Sequence, residues 1–301
     1  MDGDLGVGLE VDTRAPGGTR EDTAPRESLA QITASMAPPS PPAWRRALAQ
    51  LLHLWLLVLF VVVWELASVL GERLNPQLSI MLPPPTAVFS AAQDLIGRGV
   101  LLTHIADSLR RVLVAVGAAA ALGVPLGLAM GWSAAFRRAM DPLIEFIRPI
   151  PPLAWIPLSI LWFGIGDTQN EYIIFLAAFF PIVLNSMAGA RDVDTYLVRA
   201  GLSLGARRRD LFLTVVLPAS LPNIFTGLRV GLGIGWMALV AGELVAAPTG
   251  LGYMINNART LFRSDYILLG MVLIGLLGLV LDFLMRQMAR LTMPWYQGLE
   301  R

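Results

Sequence analysis

Apolar residues in this chain come in long runs rather than at the alternating spacing of a strand. A helix rises 1.5 Å per residue, so about 20 mainly apolar residues cross a bilayer core. Six stretches after residue 47 meet that length: 48–70, 109–131, 148–166, 171–190, 218–246 and 266–290. The pattern predicts an all-α, polytopic membrane protein with six transmembrane helices. Between the first two spans, Met81-Leu82-Pro83-Pro84-Pro85 favours extended backbone, because each proline fixes φ and lacks a donor. Thr86 stands where it would cap a short helix from Ala87, and the stretch reads as an extramembrane lip. Arg148-Pro149-Ile150-Pro151-Pro152 opens the third span, since the first turn of a helix tolerates proline.

The segment 191–217 is too polar to span. Val193, Leu197, Ala200 and Leu204 recur at helical spacing, which describes one face of a helix. Gly205 then permits a turn, and a second short helix follows from Ala206 to Val216. The bland alternative is an amphipathic loop lying on lipid headgroups. Gly123, Gly127 and Gly131 in the second span, and Gly227, Gly231 and Gly235 in the fifth, repeat every four residues. Small residues at that spacing let helices approach closely where lipid supplies no hydrophobic drive. They fit a sliding or dimer surface, or packing within one chain.

Composition changes the picture at the start of the chain. Residues 1–43 are rich in Gly, Pro, Ala, Thr and acids, and end in a proline cluster. Such a stretch buries too little apolar surface to offset its ordering entropy, so a disordered cytoplasmic tail is expected rather than a signal peptide. The transmembrane domain is then 44–301.

Charge adds three points. All 23 basic residues are Arg, with no Lys in the chain. A P-loop needs a Lys to reach the phosphates, so this chain carries none and is not expected to be an enzyme. With the tail inside, Arg45, Arg46, Arg137, Arg138, Arg148, Arg191 and Arg207–Arg209 fall on inner segments, and Arg73, Arg98, Arg259 and Arg263 on outer ones. The bias places both termini in the cytoplasm. Arg110 and Arg111 break the rule and are read as snorkelling to outer headgroups.

Candidate chemistry is sparse. There is no cysteine, and His53 and His104 lack metal-ligand spacing. No nucleophile motif and no nucleic-acid signature occur. Ionisable residues at membrane depth are costly and usually face a cavity or a partner. Arg229 suits an oxyanion such as sulfonate through its planar donors, or an acid within the bundle. Glu65 and Asp282 lie in spans, and Glu243 suits a structural or gate hydrogen bond.

Ala200, Gly205 five positions later, Val215 and Leu217-Pro218 resemble the coupling motif of importer permeases of the ATP-binding-cassette class. Arg199 stands where the motif has an acid, and Gly201 where it has a second alanine; Arg207 and Asp210 offer polar contacts instead. The resemblance covers roughly 45–298 and includes Leu82-Pro83-Pro84-Pro85, Trp162-Phe163-Gly164-Ile165-Gly166, Gly242-Glu243-Leu244 and Gly250-Leu251-Gly252-Tyr253-Met254. These look like the taurine, aliphatic sulfonate and nitrate branch. The resemblance implies a type I importer permease fold in a bacterial inner membrane. It also implies a homodimer, a pair of separate ATPase subunits that bind the ATP and Mg, and an extracytoplasmic substrate-binding protein. No cofactor is implied for this chain. The coupling residues carried over are Arg199, Ala200, Gly201, Leu202, Gly205, Ala206, Arg207, Asp210, Leu217 and Pro218. Arg229, Trp236 and Glu243 are the candidates for the translocation path. Taurine or a related sulfonate is the expected substrate, with nitrate as the alternative. A secondary transporter is the rival class.

Overall fold

The computed structural model describes residues 43–75 and 81–295, leaving aside the side chains of 43–54 and 57. The tail read from 1–43 lies outside these residues except for Ala43, and so do the side chains of Trp44 and His53. The chain divides into the units Met1–Leu59 and Phe60–Arg301. The described part of the first unit is helical.

Among the described residues every regular element is a helix. α1 (Ala43–Leu74) covers the first expected span. α2 (Pro85–Gly97) follows the prolines. α3 (Val100–Trp132), α4 (Ala134–Ile147), a 3₁₀ turn (Pro152–Trp155) and α5 (Ile156–Phe163) lead to α6 (Asp167–Arg191). α7 (Thr195–Ser203) and α8 (Arg208–Leu211) precede α9 (Leu217–Ala246), α10 (Leu251–Thr260) and α11 (Ser264–Thr292). The helices α3, α6, Arg208–Ala246 and α11 are each long and apolar enough to cross a membrane. α4 and Pro152–Phe163 reach that length and hydropathy only together, across a bend of 79° that fits a broken span or a re-entrant loop.

Three expectations change. The third span is not a continuous helix over 148–166. Pro149, Pro151 and Pro152 lack donors and hold φ, so the helix stops before them and restarts on the far side. The second short helix does not end at Val216. Pro218 has no N–H for the Thr214 carbonyl; the backbone widens into a π turn over Phe212–Val216 and runs on as α9. Thr86 does not cap α2, which opens at Pro85 behind Pro84. Instead the Thr86 amide and hydroxyl donate to Glu65 at 3.2 and 3.0 Å.

α6 is the centre of the bundle, flanked by α3 running the same way and α9 running the opposite way. The glycine repeats explain how close these three helices come. A Cβ at Gly127 would sit 2.3 Å from the Val183 carbonyl, and one at Gly231 would sit 2.9 Å from the Ala178 carbonyl. Both repeats therefore face α6 of their own chain, which is the packing reading rather than the sliding one. Ile174, Ile182 and Val183 of α6 are wholly buried between them. This arrangement gives the bundle one end at α10 and an opposite end at α7.

Candidate functional site

The α7 end is built from two short helices and the turn between them. Asp194 caps α7 by accepting from the Tyr196 amide at 2.8 Å. The helix ends at Ser203, and Gly205 turns the chain with φ +85°, a conformation that costs other residues. Gly201 has a steric role: a Cβ there would lie 2.4 Å from Leu211 Cδ2, so its absence lets α7 and α8 touch. Beneath them, Val193 and Val216 are buried, and Trp132 meets Phe212 edge-on at 5.7 Å. The turn is thus anchored to α3 and α9.

The outer surface of this turn is apolar. Leu204 is 88% exposed and Tyr196 is 77% exposed, with Leu197 and Leu202 also in solvent. Of the face predicted from spacing, Val193 turns inward, whereas Leu197 and Leu204 do not pack on their own chain. Among the described residues no carboxylate pairs with Arg199 or Arg207. The Asp210 carbonyl accepts from the Thr214 hydroxyl at 2.7 Å, Leu217 and Pro218 open α9, and Ala200 and Ala206 flank the turn.

The α10 end is the reverse. Arg111 is wholly buried, which overturns the snorkelling reading. Its Nη1 lies 2.7 Å from Glu243 Oε1 and donates to the Thr249 carbonyl at 2.7 Å. Its Nη2 donates to the Thr249 hydroxyl at 2.8 Å, and Nε donates to Asp167 at 2.7 Å. Glu243, itself 1% exposed, accepts from the Ser108 hydroxyl at 2.8 Å and from the Gly252 amide at 2.9 Å. Ser108 Oγ also accepts from the Leu251 amide at 2.9 Å, and His104 Nδ1 accepts from the Gly250 amide at 3.0 Å. The first amides of α10 are thereby held by side chains from α3 and α9. A buried charge pair of this kind is stable only when its remaining donors and acceptors are also matched, and here they are. Arg110 pairs alongside with Asp167 and Glu171.

The remaining candidates lie between these ends. Arg229 is paired with Asp282, with Nη2 to Oδ2 at 3.2 Å, and Asp282 also meets Arg286 at 2.8 Å. The acid-partner reading of Arg229 is the one the geometry favours. Trp236 donates from Nε1 to the Ile274 carbonyl at 3.1 Å, tying α9 to α11. Glu243 sits in the clamp just described, apart from Arg229. Among the described residues no cluster of His, Asp and Glu has the geometry of a metal site.

The sequence model of the binding-protein-dependent transport system inner membrane component matches residues 123–295. The chain belongs to this permease family. The permease is 40% identical to the taurine transport system permease protein of Escherichia coli over 80% of this chain and 88% of that protein. It is 32% identical to a putative aliphatic sulfonates transport permease of Bacillus subtilis, over 80% and 86% of the two chains. The nitrate import permease of Leptolyngbya laminosa is 35% identical over 64% of this chain and 70% of its own. The permease therefore sits in the ATP-binding-cassette importer branch whose named members carry taurine, sulfonate and nitrate. Among solved structures, an inward-facing MetNI methionine transporter aligns with TM-score 0.58 and 19% identity, over 64% of this chain and 96% of that one. That likeness gives the type I importer permease fold. The bent pair, α4 with Pro152–Phe163, and the turn at the α7 end both fall inside the family match.

Proposed function

We propose that this permease forms half of a translocation path for taurine or a related small sulfonate, completed by a second copy of itself. The α7 end faces the cytosol and docks on a separate ATPase that binds ATP and Mg. The α10 end faces out and receives substrate from a binding protein. Both termini are cytoplasmic, and the membrane is the bacterial inner membrane. The observation that supports this most directly is the exposed apolar turn at Tyr196, Leu197, Leu202 and Leu204, held rigidly beneath but uncovered above. Exposed apolar area of that kind marks a partner surface. The likeness to taurine and sulfonate permeases supports this class of cargo, and the lack of Lys supports nucleotide hydrolysis by a separate subunit.

Nitrate is the second reading, favoured by the likeness to a nitrate permease. Affinity purification of the tagged chain from its own host should bring down an ATPase subunit in equal amount. Radiolabelled taurine uptake should need that subunit and ATP. Recovery of a solitary, ion-driven transporter would remove the reading.

A further inference from the structure

Irregular backbone at membrane depth is tolerated only where protein buries it or water reaches it, because lipid offers its polar groups no partners. α4 and Pro152–Phe163 break beside the interiors of α6 and α9, two helices long and apolar enough to cross a membrane. α4 starts at the α7 end and packs Ile144 on Met130 and Val183. The chain then leaves the helix at Arg148 and turns by 79° before Pro152. Its neighbours there, Pro181 and Asn185 of α6 and Val230 of α9, lie well inside their helices. A cavity of about 380 Å³ opens at the break. Trp155 and Phe180 give it aromatic walls, Asn185 an amide and Arg148 a guanidinium.

Arg148 is the one charged residue in that lining. Arg111 and Arg229 have carboxylate partners; among the described residues Arg148 has none. Arg148 is itself exposed, so its donors are open to an anion that enters the cavity. We infer that the cavity at the break is an oxyanion subsite on the translocation path, with Arg148 gripping a sulfonate or nitrate through its planar fork of donors. The aromatic faces suit the organic part of a sulfonate and the ammonium of taurine. The inference rests on the proposed function for the name of the ligand, but not for the sign of the charge selected.

The chain has no cysteine, so one introduced thiol reports one place. Val230 is a partly exposed lining residue on α9. In membranes carrying the full-length Val230→Cys chain with its partners, a sulfonate-bearing thiosulfonate reagent should react faster than its trimethylammonium counterpart. Adding Arg148→Gln should lower that rate ratio roughly tenfold, the scale of one charge-assisted hydrogen bond. Arg148→Lys should restore most of the ratio. In the cysteine-free chain, Arg148→Gln should cut taurine uptake by a similar factor with ATP hydrolysis intact. An unreactive thiol, or a ratio indifferent to Arg148→Gln, overturns the subsite. A ratio that responds, in a native transporter that imports neither taurine nor nitrate, upholds the subsite and removes the substrate reading.

Discussion

The two ends of the bundle are carried by the same helices, α3, α6 and α9, yet they treat polarity in opposite ways. At the α10 end the charges are inside and matched: Arg111 meets Glu243 and Asp167, and both Arg111 and Glu243 are shut away from solvent. At the α7 end the apolar side chains are outside and unmatched, with Leu204 the most exposed of them. A surface that satisfies its own groups works as a fixed strut. One that leaves leucines in water is incomplete until another protein covers it. The difference puts rigidity at one end and, under the proposed function, docking at the other.

The largest test of this contrast is Glu243→Ala. It removes the buried carboxylate of Arg111 and leaves it only the part-exposed Asp167, and losing one partner of a buried pair costs about 3–5 kcal/mol. The detergent-solubilised protein should melt well below the native chain, or fail to accumulate. The double change Arg111→Met with Glu243→Leu should recover much of the loss, because it leaves no unpaired charge behind. A single variant as stable as the native chain would break the strut reading.

How much of this contrast could be read from the sequence depends on distance along the chain. The spans followed from run length, and the turn at Gly205 from one glycine between short apolar patterns. Arg111 was misread because its partners lie 56 and 132 residues away, at Asp167 and Glu243. A signal was present all the same. Arg111 near the start of the second span and Glu243 near the end of the fifth fall at the same depth, and opposite charges at matched depth in a membrane find each other. The break at Arg148 was hidden for another reason. Prolines at a helix start and prolines at a helix break look alike until a helix, Ala134–Ile147, is seen to precede them directly. Gly201, with Ala200, Gly205 and Ala206, reads from the sequence as a small residue that lets another surface come close; the surface that comes close to it is Leu211 of its own chain.

The next effect down is Leu204→Asp at the α7 end. The side chain touches little of its own chain, so permease stability should stay within about 0.5 kcal/mol of native. ATPase co-purification should fall about tenfold, since truncating a well-placed apolar anchor at an interface commonly costs more than 1 kcal/mol. A large loss of permease stability would mean that the turn is core, and the contrast between the ends would weaken.

The smallest effect separates the α10 end into a core and a rim. Asp94 on α2 accepts from the Tyr266 hydroxyl and pairs with Arg98 at 3.0 Å, but it remains 38% exposed. The Tyr266 hydrogen bond first, and Arg98 after it, hold the Asp94 carboxyl below the usual carboxylate range. A carboxyl whose folded pKa is depressed contributes stability above its unfolded pKa and loses it as pH falls through the folded one. The melting difference between the native chain and Asp94→Asn should therefore be small at neutral pH and vanish in acid. Added salt should shrink it, because exposed pairs are screened. The Glu243 clamp, shut away from ions, should be nearly indifferent to the same salt. Equal salt sensitivity at the two carboxylates would mean that solvent reaches both, and the strut would have no dry core.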